Sequence, residues 1–220
     1  MKGRILAVSE SVKARRGYRS PLRAEQANET RRRVLTAARE LFLARGYLGT
    51  TVVAVAEHAG VSPDTIYVSL GGKQGLLEGA WSLALSDLQD PAQLDPGDRD
   101  DVGELAAPHE RLRRLVQLSC QTLARTSPIH AVIRGAADGH PFAADLRARV
   151  LGVRLQIQSG NLQTHLGSAL RKGLRPEEAA ARYSALLSPE LYHLLTVECG
   201  WSPERYESWV ADSLDRDLLA

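Results

Sequence analysis

Helix-ending signals follow one another closely between Gly46 and Gly72, and this spacing leaves little choice of local structure. Gly60 and the pair Gly71-Gly72 supply the left-handed backbone conformation that commonly ends a helix. Ser62-Pro63 supplies an N-cap residue followed by proline, which is tolerated at the first helical position. The segment therefore has room for only two short helices, with a tight turn between them.

Apolar residues around this segment repeat at helical spacing. They predict one helix over Glu29–Arg45 that ends at Gly46, a second after an N-cap at Thr50 or Thr51, and a third from Pro63 to about residue 70. The first two apolar stripes are Val34, Leu35, Ala38, Leu41 and Phe42, then Val52, Val55, Ala56 and Ala59. Two short helices joined at a glycine are the layout of a helix-turn-helix, whose second helix enters the major groove of DNA.

The rest of the chain also has helical periodicity. A fourth helix is predicted from Lys73 to near Asp90-Pro91, and residues 91–108, rich in Pro, Asp and Gly, are predicted to form a linker. Later stripes predict helices over Leu112–Leu123 and from Leu146 toward Leu170, short connecting pieces over Ile129–Ala137, and helices that begin at Pro176, Pro189 and Pro203. Because no alternating strand pattern of useful length occurs, the predicted fold class is all-α.

Charge is distributed unevenly along the chain. Residues 1–80 hold 13 of the 28 Lys and Arg and 7 of the 26 Asp and Glu, which gives a net charge of +6. Residues 81–220 hold the other 15 basic and 19 acidic residues, which gives a net charge of −4. A polyanion would bind the basic end. Residues 1–27 are basic without a hydrophobic period, which indicates either a flexible arm that contacts DNA phosphates or the minor groove, or a solvated tail.

Several classes of protein are disfavoured by what the sequence lacks. Every apolar run is broken by charge before the length of about 18 residues that a membrane span requires, and the N-terminus has no secretory pattern, so a cytoplasmic protein is predicted. The six His are scattered, and Cys120 and Cys199 have no nearby Cys, so we expect no metal, no disulfide and two buried free thiols. No catalytic or cofactor motif occurs, which predicts neither an enzyme nor a cofactor.

The residues from Arg33 to Leu77 carry a family resemblance. They are Arg33-Val34-Leu35-Thr36-Ala37-Ala38, Leu41-Phe42, Gly46-Tyr47, Thr50-Thr51, Val55-Ala56, Ala59-Gly60-Val61-Ser62, Thr65-Ile66-Tyr67, Lys73 and Leu76-Leu77. This pattern resembles the N-terminal domain of the tetracycline-repressor family of bacterial regulators, although Leu70 stands where the family usually has an aromatic residue. The resemblance implies a homodimer with a helical ligand-binding domain, usually a repressor that leaves its operator when a small molecule binds.

Eight residues are predicted to contact DNA: Thr50, Thr51, Ser62, Pro63, Asp64, Thr65, Tyr67 and Lys73. The two adjacent threonines could each offer a hydroxyl and a helix-end N–H to a phosphate, or act only as N-caps. The four residues from Ser62 to Thr65 open the second helix of the motif and should face base edges, where Asp64 can accept a hydrogen bond from a cytosine amino group. Ser62 also serves as a cap. The resemblance adds the last two residues as phosphate contacts.

The larger C-terminal part is predicted to bind a small-molecule effector and to form the dimer. Candidate effector-binding residues, each of which could equally be structural, are Gln117, Cys120, His130, Arg134, Phe142, Arg149 and Tyr183. Candidate dimer residues are Leu187, Leu191, Leu194, Leu195, Trp209 and Leu214, with Tyr183 beside them. The low aromatic content, 5%, favours an aliphatic cavity.

Together these observations predict three parts: a flexible basic arm at 1–27, a helix-turn-helix DNA-binding domain at 28–75, and a helical-bundle domain at 76–220 that binds effector and dimerises. The predicted function is a dimeric transcriptional regulator, released from a pseudo-palindromic double-stranded DNA operator by the effector. The alternative is a constitutive DNA-binding protein or protein-protein adaptor whose C-terminal domain is filled by its own side chains.

Overall fold

The computed structural model describes residues 21–86 and 102–219. Within these ranges the chain is helical, and its one bridge between extended residues joins Leu170 to Leu219, which confirms the all-α fold class. The helices are α1 (Pro21–Gly49), α2 (Val52–Ala59), α3 (Pro63–Leu70), α4 (Lys73–Ser86), α5 (Pro108–Ala137), α6 (Pro141–Leu166), α7 (Pro176–Leu186), α8 (Pro189–His193) and α9 (Pro203–Leu218). Short 3-10 helices cover Val102–Glu104 and Gly167–Ala169, and a π-helical turn, Leu194–Glu198, continues α8.

Helix α1 begins earlier than the sequence predicts. It starts at Pro21, so residues 21–27 are helical and the prediction of a flexible arm is wrong for them, while residues 1–20 of that arm lie outside the described residues. The apolar stripe starts only at Val34, and residues 25–29 are exposed, so the first turns have no buried face that periodicity could reveal. Gly46 interrupts the helix at φ 69° and ψ 176°, as predicted.

The first of two apolar cores joins α1–α4 to the second half of α5 and the start of α6. All nine residues of the first two predicted stripes are buried in it. Ile129, Ile133 and Leu146 extend it beyond the helix-turn-helix. The predicted domain boundary after residue 75 therefore falls inside α4. It divides the first core, which has members on both sides of that residue.

The second core joins the first half of α5 to the end of α6 and to α7–α9. Helix α5 serves both cores because it runs unbroken from Pro108 to Ala137, through Pro128, where the sequence predicted short pieces over Ile129–Ala137. An internal proline costs a helix about 3 kcal/mol. The complete burial of Ile129 and Ile133 on the far side of the proline offsets that cost.

The three late helix starts are confirmed at Pro176, Pro189 and Pro203. Both cysteines are free, but only Cys120 is buried; Cys199 is exposed just after the π-helical turn, so the prediction of two buried thiols is wrong for it. Burial, with the charge of Glu207, raises the pKa of the Cys120 thiol to about 12. In the described part of the chain, no helix is long and apolar enough to cross a membrane.

Candidate nucleic-acid interface

The turn between α2 and α3 has the geometry of a helix-turn-helix. Gly60 adopts the left-handed conformation (φ 65°, ψ 42°), and its N–H donates to the carbonyls of Ala56 and Glu57, which closes α2. Ser62 then caps α3: its hydroxyl accepts from the N–H of Thr65 at 3.3 Å, and Pro63 occupies the first turn. The local signals read from the sequence therefore set both helix ends.

Helix α3 is anchored on one side only. Ile66 is its only fully buried side chain, and the residues that surround it in sequence point outward. Asp64, Thr65 and Tyr67 are exposed, as a DNA-reading role requires. Val68 is 88% exposed and is not among the predicted contacts; a valine that interrupts the polar side of the motif was the available signal.

The two adjacent threonines before α2 have different roles. Thr51 is exposed and caps α2, where its hydroxyl accepts from the Ala54 N–H at 3.1 Å. Thr50 is 1% exposed, and its hydroxyl lies 2.9 Å from the Gly46 carbonyl and 3.1 Å from that of Leu41. Its side chain therefore secures the end of α1 and is withdrawn from phosphate, which corrects the prediction for Thr50. Adjacent residues at a helix start face different sides, and composition does not tell which faces inward.

Lys73 and Tyr67 lie close to the break between α3 and α4. The Lys73 ammonium stands 4.4 Å from the centroid of the Tyr47 ring and 3.4 Å from the carbonyl oxygen of Leu48. Partial burial lowers the pKa of Lys73. Gly72, at φ 86°, lies against the Tyr67 ring, where a side chain would crowd it. Cation–π contact holds the ammonium in place, and the Tyr67 hydroxyl and the lysine remain suitable donors to phosphate oxygens.

Two arginines of α1 bind the C-terminal ends of the motif's helices. Arg33 donates through Nε to the carbonyl of Ala59 at 2.9 Å, and Arg31 donates to that of Ser69 at 3.3 Å. Helix C-termini carry partial negative charge and unpaired carbonyls, so these bonds stabilise α2 and α3 against α1. They also leave positive charge beside the helix that would meet DNA.

This geometry agrees with a comparison to known families. Residues 34–80 match the model of bacterial regulatory proteins of the tetR family. The chain belongs to the TetR family. Like the other members, it is a DNA-binding transcriptional regulator. The HTH-type transcriptional regulator TtgR of Pseudomonas putida is 29% identical to it over 171 residues, which cover 74% of this chain and 76% of TtgR.

Solved structures share the fold of this TetR-family regulator. NalD, the secondary repressor of the MexAB-OprM multidrug efflux pump of Pseudomonas aeruginosa, superposes with a TM-score of 0.64 at 19% identity, over 88% of this chain and 98% of NalD. A structure from Saccharomonospora viridis, described as a transcriptional regulator in complex with choline, superposes with a TM-score of 0.65 at 22% identity, over 88% of this chain and 99% of that one. At such identities the likeness concerns the fold, a helix-turn-helix followed by a helical domain.

The seven candidate effector-binding residues of this TetR-family regulator lie in separate places. Cys120 and Tyr183 are buried in the second core, where the Tyr183 hydroxyl lies 3.1 Å from that of Ser119. Gln117 accepts a hydrogen bond from Arg114, Phe142 packs against the first core, and Arg149 is an exposed partner of Glu78 at 3.0 Å. The structure thus does not gather them around one cavity. Helical spacing identifies shared faces within one helix, but not which faces of different helices meet.

His130 and Arg134 do line one cleft between α5 and α8, but it is too narrow to hold a water molecule. Burial lowers the pKa of His130, so its imidazole favours the neutral form, although Glu190 opposes this. Burial opposes ionisation of Glu190, but its backbone hydrogen bond, His130 and Arg147 lower its pKa overall. Arg134 is exposed at the cleft. In residues 21–86 and 102–219, no three His, Cys, Asp or Glu side chains are grouped to hold a metal.

Two of the six candidate dimer residues point into the protein's own core instead of toward a partner. Leu187 and Leu214 are fully buried in the second core, so they cannot meet a partner and their prediction is wrong. Leu191, Leu195 and Trp209 are partly buried against the same core, and only Leu194, 44% exposed, is open to solvent. Val197, which was not predicted, lies one turn beyond Leu194 and is 64% exposed. An apolar stripe shows that a face is covered, not whether the chain's own core or a partner covers it.

Proposed function

We propose that the protein is a dimeric repressor that binds a pseudo-palindromic operator in the bacterial cytoplasm and is released by a small molecule. The observation that carries this proposal is α3, capped by Ser62 and anchored by Ile66, with its remaining surface open to solvent. A dimer would place two such helices in successive major grooves, about 34–36 Å apart. NalD, described as a repressor, supports the sign of regulation.

The contact set that we propose for each half-site has two parts. Thr51, Tyr67 and Lys73 hold phosphates on either side of the groove and fix the register of the protein on DNA. Pro63, Asp64 and Thr65 face base edges. Ser62 contributes as the cap, and Thr50 contributes only as a structural residue.

Exchange of Lys73 for alanine should weaken operator binding for every sequence to a similar degree, because a phosphate contact carries no base information. The operator is first identified by selecting the sites that the protein binds in random duplex DNA. Sedimentation of the protein–DNA complex should then give two chains per inverted repeat. For the wild type, the logarithm of affinity should fall with the logarithm of salt concentration, with a slope of about 0.9 per neutralised phosphate. Lys73→Ala should reduce that slope by about 1 per half-site.

Lys172→Ala is the matched control, since Lys172 is exposed in the turn between α6 and α7. It should leave affinity and slope unchanged. A wild-type protein that prefers no duplex over competitor at low ionic strength would rule out the proposed function, and an unchanged slope for Lys73→Ala would remove Lys73 from the contact set.

We propose the π-helical turn as the centre of the dimer contact. Leu194 and Val197 expose apolar surface there, in a region next to α8 and α9. Apolar residues that stand open on a monomer are the usual core of a homodimer interface. The two-chain stoichiometry of the selected complex tests this state directly.

We propose that the effector enters the cleft at His130. The cleft has no room for a water-sized molecule in this structure, whereas ligand pockets typically measure about 300–1,000 Å³, so the effector would have to part α5 from α8 to insert a head group there. Arg134 at its mouth favours an anionic head group. The choline complex of the Saccharomonospora viridis structure supports small-molecule binding by this fold in general, with a cation in that protein.

Aliphatic carboxylates should release the operator, whereas alcohols and quaternary amines of the same chain length should not. Arg134→Gln should abolish this response and leave operator affinity intact. The control is Arg113→Gln, on the same helix but paired with Asp212 at 2.7 Å and remote from the cleft. Release by the amines alone would contradict the anionic assignment, and no release by any compound would favour a constitutive DNA-binding protein.

A further inference from the structure

Val68 is the most exposed large apolar side chain of the described residues. It is 88% exposed, against 75% for Leu48, the next in order. Val68 belongs to α3, a helix whose own anchor, Ile66, is completely buried. Its methyl groups contact little within the protein, so packing does not account for a branched apolar residue at this position.

Helix geometry places Val68 on the outermost line of α3. Successive residues of an α-helix are rotated by about 100°. Asp64 and Val68 each stand two positions from Ile66, so both point away from the core, and they lie one turn apart on the same face. These two side chains are therefore the first that a surface in front of α3 would meet.

The serine and threonine hydroxyls at α3 are already engaged within the helix or its cap. The Ser69 hydroxyl donates to the Thr65 carbonyl at 2.6 Å, and the hydroxyls of Ser62 and Thr65 lie 2.9 Å apart. Hydrogen-bond readout by these groups would have to replace bonds that exist in the free protein. The Val68 methyls and the Asp64 carboxylate have no such internal bond to give up.

We propose that Val68 reads the 5-methyl group of a thymine in the major groove, an inference that rests on the proposed function. The thymine methyl is the apolar group that the four bases present on that edge, and apolar side chains recognise it by contact. The four-residue step from Asp64 to Val68 advances about 6 Å along α3, and DNA advances about 3.4 Å per base pair. The thymine should therefore lie within about two base pairs of the cytosine that Asp64 would read.

The test replaces each thymine of the selected half-site, one at a time, with deoxyuridine, which lacks only the methyl group. One position should weaken wild-type binding about fourfold, and about fifteenfold when both half-sites are changed, as expected for one buried methyl group each. Val68→Ala should lose the sensitivity at that position and keep its response to all other base changes. Its thermal melting should match the wild type, because the removed atoms are exposed.

The matched control is Val53→Ala on α2, 53% exposed and outside the recognition helix, which should retain the deoxyuridine effect. If no deoxyuridine weakens wild-type binding, if the selected half-site holds no thymine, or if Val68→Ala stays equally sensitive, the assignment is overturned while operator binding stands. A wild-type protein that prefers no DNA sequence over another is a different result, and that result would refute the proposed function itself.

Discussion

Exchange of Gly75 for alanine should destabilise the protein by about 2–3 kcal/mol and abolish operator binding. Gly75 lies in α4, where a Cβ would fall far inside van der Waals contact distance of the Leu70 carbonyl oxygen. That oxygen belongs to the backbone at the end of α3, so it cannot rotate aside, and the two helices must separate. Overpacking typically costs about 1–3 kcal/mol and occasionally more. Because the clash here is with a backbone atom, we expect a cost of about 3–4 kcal/mol, of which a helix-propensity gain of about 1 kcal/mol offsets part.

The measurement is thermal unfolding together with operator affinity. A loss of 2–3 kcal/mol lowers the melting temperature of a chain of this size by roughly 5–10 °C. Gly152→Ala is the matched control, because Gly152 also lies within a helix but its Cβ would meet nothing within 4 Å. It should be neutral or stabilising and should bind the operator normally. Equal behaviour of the two variants would show that α3 and α4 do not approach as closely as described.

The DNA-binding half is predictable because its determinants are local. Gly60 and Ser62 fix the ends of α2 and α3 through bonds to residues three or four positions away, so the sequence carries the complete signal. Thr50 and Thr51 mark the limit of such reasoning. Both suit an N-cap, and only the packing of Thr50 against the end of α1 separates the buried residue from the exposed one.

The C-terminal half is less predictable because several apolar faces compete for the same core. The helix predicted from Leu146 forms as part of α6, but not all of its apolar residues face the core, since Val153 and Ile157 are more than half exposed. Helix α6 instead turns Gln158 and Leu162 inward. Two leucines expected at the dimer contact are buried for the same reason. Periodicity fixes which residues share a face, and tertiary packing decides where that face points.

Arg154 is a polar residue of α6 with a structural role that periodicity did not indicate. It stands on the inward-turned side of α6, and its guanidinium donates to the carbonyls of Leu187 at 3.0 Å and Ser184 at 3.3 Å. These carbonyls belong to the C-terminal end of α7, where helix carbonyls lack partners within the helix. Burial lowers the pKa of Arg154, although the charge of Glu190 opposes this, so the protein accepts a desolvation cost to place the guanidinium there.

Arg154→Met should therefore lower the free energy of unfolding by about 2–3 kcal/mol. Methionine fills similar space but leaves two carbonyls unpaired, at a cost of about 1–3 kcal/mol each. Removal of the buried guanidinium offsets part of this cost, because its desolvation penalty is no longer present. Urea denaturation measures it. Arg149→Met, on the same helix, breaks only an exposed ion pair with Glu78 and should change stability by less than about 1 kcal/mol. Because the α7–α8 corner also positions Glu190 at the cleft, Arg154→Met should blunt effector release as well. Equal stability of the two variants would mean that water satisfies the carbonyls, and that α7 is held by apolar packing alone.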